Sequence, residues 1–396
     1  MLNTTPNHLV STSFNATCPA CGLLCDDIVI ENDRIQNISC AKAIHFFEQA
    51  TGSISPQIDG KNSSLDDAID AAAKILSLAK QPLFAGLSTD LSGFKALYAL
   101  AKQTNGTMQH SNAQSSMRNT QVLQTTGWQT TTLGEVKNRA DLIVCIGTDV
   151  VTHNPRFFER FVDIEGMFVG DPANPREVIY IGDKAPVGAN LVTCSGVQLF
   201  EVVAVLHALV LGKSIKSTHV AGIDLNDLQT IALKLKTAKY AVLTCITKDL
   251  DFPYAELVIE QITKIIATLN QTTRAAGLPL GGSDGDSSAN HAYTWLNGLT
   301  LNYQANFPHD ALVWVNSFNA NKQPPTSACP IIVLGNAHTK LAQTPHVFIP
   351  IATPGLDCSG TLFRVDSSVI LPLKKVRTNA LPTLSEVAHQ IECLLT

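Results

Sequence analysis

Short apolar runs alternate with longer segments of helical period along most of this chain, and that alternation limits its fold more than any other feature. The runs at residues 83–86, 142–147, 178–183, 240–244, 311–315, 331–334 and 346–349 read as strands buried on both faces. Between them, Ser64-Leu65-Asp66-Asp67 opens a helix in the manner of a capping box. Ile69, Ala72, Ala73, Leu76 and Ala79 follow at helical spacing before Pro82. Phe94, Leu97, Tyr98 and Ala101 mark a second helix, and residues 199–211 a third, closed by Gly212. Strand and helix in turn predict an α/β fold with parallel sheets, doubly wound by helices on both faces.

With 396 residues the chain is too long for one compact core. The pattern predicts a flexible tail over 1–17, a small four-cysteine β-hairpin domain over 18–60, an α/β lobe over 61–212 and a second α/β lobe over 213–396. The break between the lobes falls at residues 213–223. A net charge of -5 leaves no basic footprint for nucleic acid or an anionic membrane. The longest apolar run, residues 202–211, is interrupted by His207 and falls far short of the roughly 20 residues that cross a bilayer. Residues 1–17 are rich in Asn, Thr and Ser, with neither a basic nor an apolar signal region, so a cytoplasmic protein is expected. Charged residues make up only 15% against roughly 25% in ordinary soluble domains, which predicts surface hidden against partner chains.

Four of the ten cysteines cluster as Cys18, Cys21, Cys25 and Cys40, a C-x2-C-x3-C-x14-C array. Between the last two, Ile28-Val29-Ile30, Glu31-Asn32-Asp33 and residues 34–38 read as strand, turn and strand. A hairpin of that length returns Cys40 to Cys25, so the four thiolates can converge on one metal centre. Such soft donors suit a [4Fe-4S] cluster or zinc, and the sequence leaves both open.

Further residues carry a resemblance. The opening Cys18-Pro19-Ala20-Cys21-Gly22-Leu23-Leu24-Cys25-Asp26-Asp27-Ile28, then Ser64 to Ile69, Thr132-Leu133-Gly134-Glu135-Val136-Lys137-Asn138-Arg139-Ala140-Asp141 and His153-Asn154-Pro155-Arg156 together resemble the B subunit of formylmethanofuran dehydrogenase, within the molybdopterin oxidoreductases. The cysteine pattern is shared by many molybdopterin enzymes, whereas 132–141 is specific to this family, and the likeness spans nearly the whole chain. It implies a molybdopterin-oxidoreductase-like fold and a [4Fe-4S] cluster on the four cysteines. It implies Lys42, two residues after Cys40, between cluster and pterin. Loops after the parallel strands, here Gly147-Thr148-Asp149 and Gly182-Asp183, would bind the pterin nucleotides, where α/β sheets receive ligands. Asp149 reads equally well as a helix N-cap. Gly281-Gly282-Ser283-Asp284-Gly285-Asp286-Ser287-Ser288 has the glycines of a phosphate cradle, but its two acidic residues favour a turn and cap. His153 could touch a cofactor or a partner, or simply pack in its loop.

One position departs from the family. Active relatives place a cysteine or selenocysteine, followed by histidine, in the loop after the second helix as ligand to the pterin-bound metal. Here the loop reads His110-Ser111-Asn112-Ala113-Gln114-Ser115-Ser116-Met117-Arg118, and counting back from Gly127 puts Ser115, with Ser116 as the second choice, at the ligand position. No residue of this chain is therefore assigned as catalytic, and retention of molybdopterin guanine dinucleotide is not expected. The resemblance extends to the B subunit of the formyltransferase/hydrolase complex of methylotrophs, which passes a formyl group from tetrahydromethanopterin to a furan carrier and releases formate. The first expectation is thus a non-redox B subunit in one-carbon metabolism. Homologues of the A and C subunits of formylmethanofuran dehydrogenase, a formyltransferase and a furan-type formyl carrier would be its partners. The second is a working tungsten or molybdenum bis-pterin dehydrogenase subunit with a [4Fe-4S] cluster, and the third a metal-binding electron-transfer or assembly protein.

Overall fold

The computed structural model describes residues 13–50, 54–170, 172–173 and 175–395. Two mainly parallel sheets form its frame. In the five-stranded sheet the order is Leu191–Thr193, Glu177–Gly182, Leu142–Ile146, Ala241–Thr244 and Ala275–Gly277, all neighbours parallel. The seven-stranded sheet runs Lys61–Asn62, Gln57–Ile58, Val347–Ile351, Ile331–Asn336, Ala311–Asn316, Pro82–Ser88 and Thr107–His110. Its last five strands are parallel, and the first two form an antiparallel edge.

The two-residue period of a strand divides each sheet's side chains between two cores. In the larger sheet Val313, Val315, Ile332, Leu334 and Ile349 meet the helices Leu65–Leu78, Leu91–Gln103 and Leu384–Leu394. On the opposite face Leu312, Trp314, Ile331, Val333 and Phe348 are covered by the loop residues Ile54, Phe307, Cys329 and Leu341. This face is not wound with helices as expected. The first of these helices starts at the cap the sequence placed, where Ser64 Oγ accepts from the Asp67 amide; the second is capped by Asp90, a residue not named from the sequence, whose carboxylate accepts from the amides of Ser92 and Gly93.

Strand pairing corrects the expected domain limits. Ala241–Thr244 lies beside Leu142–Ile146, across the boundary drawn at 212, and Pro82–Ser88 pairs with Ala311–Asn316 from the far end of the chain. The chain thus starts the larger sheet, builds the smaller one and returns. Hydrophobic pattern identifies strands but not their neighbours, so the linear cut at 213–223 had no physical basis. That stretch holds a small hairpin, His219–Val220 with Ile223–Asp224. The expected tail changes as well: residues 1–12 lie outside the described residues, but Ser13–Ala16 is a strand antiparallel to Ile28–Glu31. The expected 18–60 unit is no separate body. Ile28, Ile30, Phe46 and Phe47 pack in one core with Ile143, Tyr180 and Val242 of the five-stranded sheet, and Gln57–Ile58 joins the other sheet. No helix among the described residues is long and apolar enough to cross a membrane.

Candidate metal site and adjoining cavity

The strand–turn–strand read from residues 28–38 forms as Ile28–Glu31 and Arg34–Ile35, joined through Asn32 and Asp33, whose φ values of 50° and 63° suit a tight primed turn. At the base of the hairpin the Cys18 amide donates to the Cys25 carbonyl at 2.8 Å, and Cys40 stands at the N-cap of the helix Ala41–Phe47. Cys18, Cys21, Cys25 and Cys40 are buried and together line one recess with Lys42, Pro155 and Arg156. The convergence expected from the spacing is therefore present. Among the described residues no group of three His, Cys, Asp or Glu is placed so as to hold a metal ion.

Burial dominates the chemistry of these thiols. It raises Cys18 well above its ordinary value, with the other three sulfurs adding to the effect, and pushes Cys25 up to about 12 against the opposing charges of Arg160 and Arg156. Cys21 is also raised by burial, while Lys42 and a hydrogen bond from Asn154 work the other way. These three thiols are thus neutral unless ligated, and ligation must displace protons and bring positive charge. Four thiolates are a donor set that suits an iron-sulfur group or zinc. When bound, an iron-sulfur group would supply electron transfer, and either group would tie together the two segments that carry the cysteines.

Lys42 joins this recess to a larger cavity. Its ammonium donates to the His153 carbonyl at 2.7 Å, and it lines both spaces. The cavity, about 310 Å³, is walled by residues that include Ser115, Asn119, His153, Lys248, Gly282 and His291. Ser115 and Ser116 both line this cavity. The Ser115 hydroxyl donates to the Asn112 carbonyl at 2.9 Å, as does that of Ser116 at 3.1 Å, within the first turn of the helix Ala113–Thr125. His110 sits beneath this loop. Its Nδ1 accepts from the Asn112 amide at 3.0 Å, and burial holds the ring below its ordinary pKa against the pull of Asp286 and Asp284, so it is neutral at pH 7.

The remaining expected cofactor residues lie elsewhere. Gly147 and Gly182 end adjacent strands and pack on each other, and a side chain at Gly147 would come within 2.6 Å of Leu199 and 2.7 Å of Leu250. Asp149 caps the turn Val150–His153 by accepting from the Val151 amide at 2.9 Å, and Asp183 is exposed. None of the four is among the cavity walls. The glycine-rich stretch 281–288 forms the turn and cap: Asp286 accepts from the amides of Ser283 and Ser287 and from the Asn112 side chain. A carboxylate thus takes the donors a phosphate would use. Ligand sites run from roughly 300 Å³ upward, so this cavity suits one compact molecule. The donors of the glycine-rich turn are taken by Asp286, so this stretch does not fit as a phosphate cradle.

Sequence reasoning missed a carboxylate hub. Asp249 accepts from Thr148 Oγ1 at 2.6 Å and faces His153 Nε2 at 3.0 Å and Lys184 at 3.5 Å. Its partners are tens to a hundred residues away, and nothing local marks it. Burial raises this carboxyl, but the bonds from His153 and Thr148 and the charge of Lys184 outweigh it and hold it below the usual range. Asp284 is likewise held low by its contact with Lys322 despite burial. A depressed carboxylate contributes stability above its unfolded pKa of about 3.8 and loses it as pH falls through the lower folded value. Asp284→Asn should therefore cost about 2 kcal/mol near pH 7, with the difference shrinking toward pH 2. Urea unfolding at both pH values checks this.

No family model matches the chain. It is 25% identical over 408 aligned residues, covering 91% of its length and 93% of the relative, to the B subunit of tungsten-containing formylmethanofuran dehydrogenase 2 from Methanococcus maripaludis. The protein of the same description from Methanocaldococcus jannaschii is 24% identical, covering 93% of this chain and 94% of its own. A third relative, the B subunit of the formyltransferase/hydrolase complex Fhc of Methylorubrum extorquens, is 24% identical over 79% of this chain and 89% of its own. These B subunits are its homologues. A chain in the crystal structure of the Methylorubrum extorquens formyltransferase/hydrolase complex with methylofuran has the same fold. Its TM-score is 0.73 at 20% identity, and the match covers 86% of this chain and 98% of that one. The likeness to these B subunits thus covers most of the chain rather than a motif alone.

Proposed function

We propose that this chain is the B subunit of a formyl-transferring and formyl-hydrolysing complex in one-carbon metabolism, with a molybdopterin-oxidoreductase-like frame and without redox chemistry of its own. The observation that carries the reading is the cavity beside Lys42. At the ligand position it offers the Ser115 hydroxyl, bonded back into its own helix turn, in place of a thiolate. The four cysteines would hold an iron-sulfur group that ties the hairpin to the five-stranded sheet. Formyl transfer and hydrolysis would fall to partner chains homologous to the A and C subunits of formylmethanofuran dehydrogenase and to a formyltransferase, in the cytoplasm, with a furan-type carrier.

A subunit of this kind needs covered surface. Trp295 and Leu299 are exposed at 65% and 64%, close together on and just after one helix, in a chain poor in charge. Expressed alone, the chain should aggregate or fail to give a monodisperse monomer; co-expressed with its partner chains it should elute as one complex. Size-exclusion chromatography with light scattering tests this, and a stable monomer from single-chain expression would overturn the assignment to a complex.

A further inference from the structure

The stretch Thr132 to Asp141, which set the family resemblance apart, lines neither the cysteine recess nor the cavity beside Lys42. It lies at the opposite end of the five-stranded sheet. Ile246 and Lys248, which follow the strand Ala241–Thr244, face the Lys42 cavity, whereas Lys239 and Tyr240, which precede it, line another of about 480 Å³. Asp141 and Arg274, each just ahead of a neighbouring parallel strand, line it too, together with Arg139 and Phe168.

The walls of this cavity are fixed. The Asp141 carboxylate accepts from the amides of Lys239 at 2.7 Å and Tyr240 at 2.9 Å, and the Tyr240 hydroxyl donates to Thr131 Oγ1 at 2.8 Å. Across the cavity, the loop 163–170 is pinned to the same stretch of chain. The Asn138 side chain accepts from the Met167 amide at 3.2 Å and the Asn138 carbonyl from the Phe168 amide at 3.0 Å, while Arg176 bonds to the carbonyls of both Val162 and Lys137. A Cβ on Gly166 would collide with the Lys137 carbonyl oxygen, so only glycine allows this approach.

Both carboxylates here are already engaged. Asp141 holds its two amides, and Glu135 pairs with Arg139 at 2.9 Å. The Arg139 guanidinium lies 4.8 Å from the centre of the Phe168 ring. Among the described residues neither Lys239 nor Arg274 has a carboxylate partner, and both are exposed. In a chain of net charge -5, an ammonium and a guanidinium thus line one cavity without a counter-ion. Walls of one sign concentrate an opposite charge, and the guanidinium fork matches the oxygens of a phosphate or carboxylate. The Tyr240 and Phe168 rings offer flat apolar surface beside these cations.

We propose that this cavity binds a small organic anion that carries two negative charges beside a flat ring, held by Arg274 and Lys239 against Tyr240 and Phe168. A phosphate ester and an aromatic dicarboxylate share that chemistry. The site stands apart from the cysteine recess and does not depend on what that recess holds.

Titration calorimetry of the natively purified protein at low salt tests this with two probes, adenosine monophosphate for the phosphate ester and phthalate for the dicarboxylate. At least one should bind at one site per copy of this chain, and the tighter of the two identifies the anion. Arg274→Ala and Lys239→Ala should each weaken that binding about tenfold, the loss expected of one charge-assisted bond. Added salt should weaken it as well. Lys248→Ala, which alters the other cavity, should leave it unchanged. A protein that binds neither probe, as when a partner chain fills the cavity, would overturn the proposal. So would binding that survives both substitutions, or that is lost with Lys248→Ala instead.

Discussion

Replacing Cys25 by serine is expected to empty the whole metal site and to open residues 13–50 to protease. The four sulfurs share one recess, so loss of one thiolate removes a quarter of the ligands and leaves a hydroxyl that is a hard, weakly acidic donor. Where a site of this kind binds metal, part of the binding energy is folding energy. The neighbouring ion pairs do not replace it. Asp27 is half-exposed, and pairs at such positions contribute roughly 1 kcal/mol or less. Metal content should fall to background, while Cys329→Ser, outside the recess, should leave it unchanged. Equal metal content and equal proteolysis before Ala50 in Cys25→Ser would refute a shared site.

The second large effect is an absence of turnover. The native complex should release formate from a formyl carrier yet fail to reduce or oxidise a viologen dye with it, and should hold neither tungsten nor molybdenum. Two-electron chemistry at a pterin-bound metal needs a ligand that tunes the ion and a nearby group that moves a proton. The sequence has no histidine beside Ser115, and read alone it leaves both requirements unmet. The fold supplies the second: His153 and His291 line the cavity from distant parts of the chain. What remains unmet is the ligand and the space. Ser115 donates to Asn112, Asp286 takes the backbone donors of the glycine-rich turn, and Leu199 and Leu250 fill the crook at Gly147. Dye-coupled turnover abolished by Ser115→Ala would reverse this conclusion and restore the dehydrogenase reading.

The two outcomes separate the alternatives for the cysteine site. Iron and sulfide with dye-silent formate release match the proposed subunit. Tungsten or molybdenum with turnover matches an active dehydrogenase, and a cluster on a chain that joins no complex matches an electron-transfer or assembly protein.

The sequence by itself determined the elements and the local geometry. Burial on both faces makes a strand almost continuously apolar, so 142–147 and 331–334 were visible as strands without any partner, within a residue or two of the observed 142–146 and 331–336. Capping is equally local: Ser64 and its helix are four residues in contact. The cysteine hairpin was legible because a two-residue turn fixes its own register. The tertiary structure alone decided which strands are neighbours, since the five strands of one sheet are threaded between halves of the other. It alone brought 153–156 and 281–282 against Cys21, closed Gly147 with two leucines, and gathered Thr148, His153 and Lys184 on Asp249. Such contacts join residues tens to hundreds of positions apart. Their free energy comes from the burial and hydrogen-bond pairing that only the packed chain provides, which is why no local pattern announces them.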